Sequence, residues 1–140
     1  DLLREKLVEY CYDIIHCMHT TYKGLSAGLP EPIYQEALLI ALQEMGYSEA
    51  VREYHHFPTF MGKRLSSHIQ LDLMVPKKGR NIVIECKSIS QLGDKERLQL
   101  YGYLRATEFP VGILVNFGSI PKAEIERYYY DKESKTITTF

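Results

Sequence analysis

Residues 67–88 read SHIQLDLMVPKKGRNIVIECKS, two runs of alternating apolar and polar residues on either side of PKKGRN. A period of two marks a half-buried β-strand, and a Pro- and Gly-containing break between two such runs marks a hairpin. If Val75 lies opposite Ile82, then Leu73 meets Ile84 and Leu71 meets Cys86. Ile69, Leu71, Leu73 and Val75 then share an apolar face with Ile82, Ile84 and Cys86. Gln70, Asp72 and Met74 share the other face with Val83, Glu85 and Lys87. A one-residue slip would turn the apolar set outward, so the register is well fixed.

That register places Asp72 directly across from Glu85, with Cβ atoms ~4.5–5.5 Å apart. Opposed like charges destabilise a hairpin unless a cation stands between them. Lys87, two residues beyond Glu85 on the same face, offers one charge. A divalent ion offers two, and Mg²⁺ takes carboxylate oxygens together with several waters. Water on such an ion becomes a nucleophile near neutral pH, and an adjacent lysine orients it or offsets phosphate charge. An isolated Glu-x-Lys on a strand is ordinarily a solvated surface pair. The opposed Asp72 and the apolar reverse face turn the reading toward phosphodiester hydrolysis.

Outward from the hairpin, residues 2–22 carry Leu3, Leu7, Tyr10, Cys11, Ile14, Ile15 and Met18 at helical spacing. KGLSAGLPEP breaks that helix, and a second is predicted from Pro32 to Gly46 with Ile33, Ala37, Leu38, Ile40, Ala41 and Leu42 apolar. Residues 51–61 read as an edge strand because Pro58 cannot donate to a ladder. A third helix is predicted over 91–107, with Leu98, Tyr101, Leu104 and Arg105 at helical spacing. The apolar strand VGILVNF (111–117) follows, and a right-handed crossover sets it parallel to strand 82–88. PKAEIERYYY then suggests a short helix, and TITTF a final strand. The fold class is α/β with a mixed sheet, expected as a single domain over residues 1–140.

Several further motifs stand in sequence order with this pattern. GLPEPIY supplies Gly28, Glu31 and Tyr34, QLYGY places Gln99 and Tyr103 at i and i+4, and GILVNFGS ends an apolar strand in Asn-Phe-Gly. With Asp72 and IECK, these resemble the PD-(D/E)XK nuclease superfamily, and in particular the small bacterial GxxExxY proteins, over residues 10–120. The resemblance implies a restriction-endonuclease-like core: a helix carrying an acid, a three-strand meander, a crossover helix and a parallel strand. It implies that Asp72, Glu85 and the backbone carbonyl of Cys86 bind Mg²⁺ or Mn²⁺, and that Lys87 positions or activates water. Glu31 or Glu36 completes the site, and Gln99 with Tyr103 holds the substrate strand or the lysine. Pro32 biases Glu31 away from helical backbone, toward the helix N-cap, while Glu36 lies one turn in. Glu96 stands where relatives often carry a histidine.

The 140 residues hold 17 lysines and arginines against 18 acids, a net charge of -1, so a nucleic-acid partner must meet a local basic patch. Candidates are Lys77, Lys78 and Arg80 in the hairpin loop, Lys63 and Arg64, and Lys95, Arg97 and Arg105 on the third helix. Three cysteines, Cys11, Cys17 and Cys86, make no disulfide framework and point to a reducing cytoplasmic setting. No apolar run reaches the ~18 residues of a membrane span, so no membrane partner is expected. The chain opens at Asp1, so native residues are expected upstream. His16, Cys17 and His19 lack the paired cysteines of a zinc site and read as ordinary helix residues. His68 lies near the proposed site face, and Tyr128, Tyr129 and Tyr130 read as a packed tail. The leading expectation is a metal-dependent nuclease hydrolysing DNA. The alternative is a catalytically weak or inactive nuclease-fold module that binds nucleic acid or a protein partner, as a homodimer or under a recruiting protein.

Overall fold

The computed structural model of the protein describes residues 2–140. Helix α1 (Leu2–Leu25) buries Leu7, Cys11, Ile14, Cys17 and Met18, an i, i+3, i+4 stripe, and leaves Leu3 exposed. Helix α2 (Glu31–Glu44) opens one residue earlier than expected, with Pro30 as N-cap and Pro32 in the first turn, where its missing N–H costs nothing. Its buried side chains are Tyr34, Gln35, Leu38 and Leu42, whereas Ile33 and Ile40 face outward. Strand β1 (Val51–His56) ends before Pro58 and occupies a sheet edge. Beyond it β2 (Thr59–Phe60) and β3 (Lys63–Arg64) form a separate small hairpin. The central pair, β4 (Ile69–Lys77) and β5 (Arg80–Lys87), keeps the expected register from Lys77–Arg80 to Leu73–Ile84.

Helix α3 (Asp94–Thr107) carries the crossover to β6 (Val111–Asn116), which lies parallel to β5 as expected and is buried throughout. The segment 121–130 is not a helix: Glu124–Asp131 form β7, antiparallel to β6. Strand β8 (Thr136–Thr139) is the expected final strand. The six-stranded order is β1-β4-β5-β6-β7-β8. Helices α1 and α2 cover one face, over Leu73, Val75, Ile82, Ile84, Ile113 and Val115. Helix α3 covers the other with Leu100 and Leu104, while Leu98 is exposed. None of the described helices is long and apolar enough to cross a membrane.

One expectation about facing fails for a local reason. Ile69 and Leu71 pack toward α3 with Met74 and Val83, not with Leu73 and Val75. The β1–β4 ladder pairs Arg52 with Leu73 and Tyr54 with Leu71 but leaves Glu53 and Asp72 unpaired. Glu53 has a left-handed backbone, φ 54°. A residue in that region breaks the pleat, so the alternation reverses across it on both strands. Asp72 sits at the reversal.

The chain leaving β5 is pinned to the end of β6. Fully buried Asn116 donates from Nδ2 to Ile89 O (2.9 Å) and Glu124 Oε1 (2.9 Å), and its Oδ1 accepts from Ile89 N (3.0 Å) and Gly118 N (3.0 Å). The close approach requires a glycine at 118, because a Cβ there would stand 2.3 Å from Ile89 O. Gly118→Ala should therefore destabilise the fold by about 2–3 kcal/mol or more. Gly102→Ala, on α3 where an added Cβ meets nothing within 4 Å, should stabilise it by ~0.5–1 kcal/mol. Urea unfolding of both variants checks the contrast, and equal midpoints would contradict it.

Candidate active site

The main-chain ladder between β4 and β5 stops at Leu73–Ile84, and two carboxylates continue it. Cys86 N–H donates to Asp72 Oδ2 at 2.8 Å, and Asp72 N–H donates to Glu85 Oε2 at 2.9 Å. Each acid thus takes an amide that the splayed strand has released, which satisfies backbone donors that would otherwise be orphaned. One oxygen of each carboxylate is committed in this way. The exchange holds the two acids side by side at the sheet end where β5 finishes.

Burial, first, and the neighbouring Asp72 carboxylate, second, push Glu85 up to about 8. Burial also raises Asp72, opposed by the Cys86 amide and by the charges of Lys87 and Arg52. Glu31, the first residue of α2, is raised by burial and then by Asp72, which places it in the same field. Lys87 Nζ donates to Gln99 Oε1 at 2.6 Å. It forms no direct ion pair with either acid, but its charge lowers Asp72, Glu85 and Glu31 alike. Tyr103, one turn after Gln99, is raised by burial and then by Glu85 and Asp72, so it too faces the acids. A cleft of about 390 Å³ lined by Glu31, Lys87, Ile89, Lys95, Glu96 and Gln99 opens above.

Asp72, Glu85, Lys87, Glu31, Gln99 and Tyr103 are thus gathered at one end of the sheet. Glu36 is not: it is exposed on α2, five residues and about 140° around the helix from Glu31. Glu96 caps α3, accepting from Gly93 N at 2.8 Å, and lines the cleft. Cys86 is fully buried in the apolar layer, its thiol raised well above the usual range chiefly by burial. His68 packs at a tilt against His55 (ring centroids 4.4 Å) and Phe57 (5.1 Å), and Tyr128 and Tyr130 are buried on β7. Among the described residues no three His, Cys, Asp or Glu side chains form a ready metal cage.

Further residues, of which only Tyr34 stands in a motif read from the sequence, hold this arrangement. Gln35 Nε2 donates to Glu31 Oε1 (3.3 Å), and Arg52 donates to Gln35 Oε1 (3.1 Å). The i, i+4 spacing of Glu31 and Gln35 was a readable signal, whereas Arg52 is reached only once β1 is laid beside β4. Tyr34 donates to Ser26 O (2.5 Å), accepts from Leu29 N (3.1 Å) and stacks on Phe117 at 4.8 Å. Ser88 Oγ donates to Leu29 O at 2.7 Å, so the loop before Glu31 is tied to the residue after Lys87.

The donor set fits a hard divalent cation. Mg²⁺ is ordinarily held by one or two carboxylates and keeps its waters, so it needs no cage, and two buried acids that repel each other are relieved by a dication. Without a cation, the folded state holds the Glu85 proton up to about 8, whereas an unperturbed glutamate releases it near 4.5. Stability of the cation-free protein should therefore fall as pH rises across that window. Glu85→Gln, with no charge to desolvate, should remove most of the fall and exceed wild type by ~2–4 kcal/mol above it. Unfolding in chelator across pH checks this, and parallel wild-type and variant curves would contradict it.

The PD-(D/E)XK nuclease superfamily matches residues 8–128, which include every residue of the cluster. No curated protein matches the chain. The solved structure of SSO0001 aligns with a TM-score of 0.49 at 22% identity, over 74% of this chain and 53% of its own, so this chain spans about half of that protein's length. With its mixed sheet in restriction-endonuclease-like order and the superfamily match over most of its length, the chain belongs to the PD-(D/E)XK nuclease superfamily.

Proposed function

We propose that the chain is one nuclease domain of the GxxExxY type, hydrolysing phosphodiester bonds of DNA with Mg²⁺ or Mn²⁺. The observation that carries this reading is the reciprocal exchange of amide bonds between Asp72 and Glu85, with the Lys87 ammonium beside them. Asp72 and Glu85 are the residues to hold the cation, with the Cys86 carbonyl and Glu31 as further oxygen donors. When bound, such a cation supplies Lewis acidity, lowering the pKa of water and offsetting charge on the phosphate.

Lys87 has three N–H donors and uses one on Gln99, which leaves two for a phosphate oxygen and the attacking water. Its positive charge offsets the charge that develops on the phosphorus oxygens. Gln99, with Tyr103 beside it on α3, fixes the ammonium, and the Arg52–Gln35 pair orients Glu31 from α2. The superfamily match supports a nucleic-acid substrate. DNA and the GxxExxY type rest on the Gly28, Glu31, Tyr34, Gln99 and Tyr103 motifs.

Purified protein with Mg²⁺ or Mn²⁺ should cleave DNA. Lys87→Ala should lower the rate at least about a hundredfold, and Asp72→Asn should abolish both cleavage and calorimetric Mn²⁺ binding. Cleavage no greater than that of Lys87→Ala, or Mn²⁺ binding intact in Asp72→Asn, would overturn the assignment.

A further inference from the structure

Residues 55–68 read HHFPTFMGKRLSSH, a stretch without a carboxylate that carries Lys63, Arg64 and three histidines, in a chain whose net charge is -1. It folds as the β2–β3 hairpin, pairing Thr59 with Arg64 and Phe60 with Lys63. Its base is well held. Leu65 N donates to Pro58 O (2.8 Å), the Arg64 guanidinium lies 4.1 Å over the Phe57 ring, and His56 Nε2 meets Ala106 O at 3.1 Å. At its tip Met61 and Gly62 both have positive φ, a tight two-residue turn. Phe60 is 67% exposed and Met61 85%. An ordered hairpin that presents two large apolar side chains to water gains nothing for the fold from them.

Its position is informative. His56 pairs with Ile69, three residues before Asp72, so the hairpin leaves the sheet ~10 Å from the acids, at the same end as Lys87. The other basic turn, at Lys77–Arg80, lies at the opposite end, with Lys77 five residues beyond Asp72 on β4, or ~16 Å. Arg97 is held by Glu126 through two bonds of 2.9 Å. Lys95 lines the cleft itself, and of the basic features outside the cleft the hairpin is the one placed at its end of the sheet to meet a polyanion entering the site.

We propose that this hairpin engages DNA beside the catalytic acids, with Phe60 and Met61 set against the bases as an apolar wedge and Lys63 and Arg64 on the phosphates. Side chains of these types part base steps at a cost that is least where bases are already unpaired. The preferred substrate is therefore DNA with frayed, forked or single-stranded segments rather than continuous duplex. The inference rests on the nuclease reading above and names the substrate class of that site.

The test uses a forked duplex with 2-aminopurine at the junction, its binding followed by anisotropy in Ca²⁺ and its cleavage in Mg²⁺. Phe60→Ala/Met61→Ala should weaken fork binding about tenfold and abolish the rise in 2-aminopurine fluorescence. Lys63→Ala/Arg64→Ala should reduce the slope of log affinity against log salt by about 2. Lys132→Ala, in the β7–β8 turn at the far end of the sheet, should match wild type. All these sites are exposed, so thermal midpoints should hold for Phe60→Ala/Met61→Ala and Lys132→Ala, while Lys63→Ala/Arg64→Ala, which loses the contact on Phe57, should lower the midpoint slightly. If Phe60→Ala/Met61→Ala binds and brightens the fork as wild type does while cleavage persists, the wedge is overturned and the nuclease reading stands. A wild type that neither binds nor cleaves any DNA overturns both. A change of oligomeric state in the tip variant overturns the wedge in favour of contact with a second copy.

Discussion

The exchange of backbone amides between Asp72 and Glu85 is the constraint on which the rest of the site depends. A β-ladder that ends inside a protein leaves N–H groups without partners, and burying them unpaired is costly. Here the two acids take those donors, so the charges that repel are held at the place where the strands part. The left-handed residue Glu53 on the neighbouring strand matches the break at Asp72, and side chains before and after it serve opposite layers. A structural defect in the sheet and a cluster of carboxylates are thus one feature. The cost of burying the acids is visible in the raised Glu85, and a bound dication would relieve that cost.

Around this pair the fold fastens three separate segments to one another. Tyr34 ties the loop before α2 to Phe117, Ser88 ties the same loop to the end of β5, and Asn116 ties the following loop to β6. Glu31 and Lys87 therefore hold their relation through ring stacking and hydrogen bonds, to which the attraction of the Lys87 charge for Glu31 adds. Exposed ion pairs contribute little to such positioning. Several hydrogen bonds and a ring stack acting on the same loop give a defined geometry. The Gly-x-x-Glu-x-x-Tyr and Asn-Phe-Gly stretches, far apart in the chain, meet in this one brace.

What the sequence revealed follows from what period-two alternation encodes. The hairpin register and the opposition of Asp72 to Glu85 were readable because a slip would expose the core, and the parallel β6 because a strand, helix, strand order implies a right-handed crossover. Gln99 and Tyr103 were readable from helical spacing. The strand at Glu124–Asp131 was not, because Lys-Ala-Glu-Ile-Glu-Arg carries good helix formers. The open edge of β6 outweighs that propensity, and alternate residues then divide between layers, Ile125 and Tyr129 to one and Tyr128 and Tyr130 to the other. The reversal at Asp72 was hidden because nothing about a glutamate announces a positive φ. Asn116 was read only as part of the Asn-Phe-Gly stretch, although a lone amide in an otherwise apolar strand must have buried partners.

The central claim is that Asp72 and Glu85 form a cation site at the break in the ladder. Paramagnetic broadening by Mn²⁺ in the amide spectrum of the intact chain tests it most directly. The account predicts that the first resonances to vanish are those of Asp72, Glu85, Cys86 and Lys87, followed by Glu31 across the cleft, with the turn at Lys77–Arg80 unaffected. Broadening centred on another cluster of acids, or none at these residues when Mn²⁺ is in excess, would contradict it.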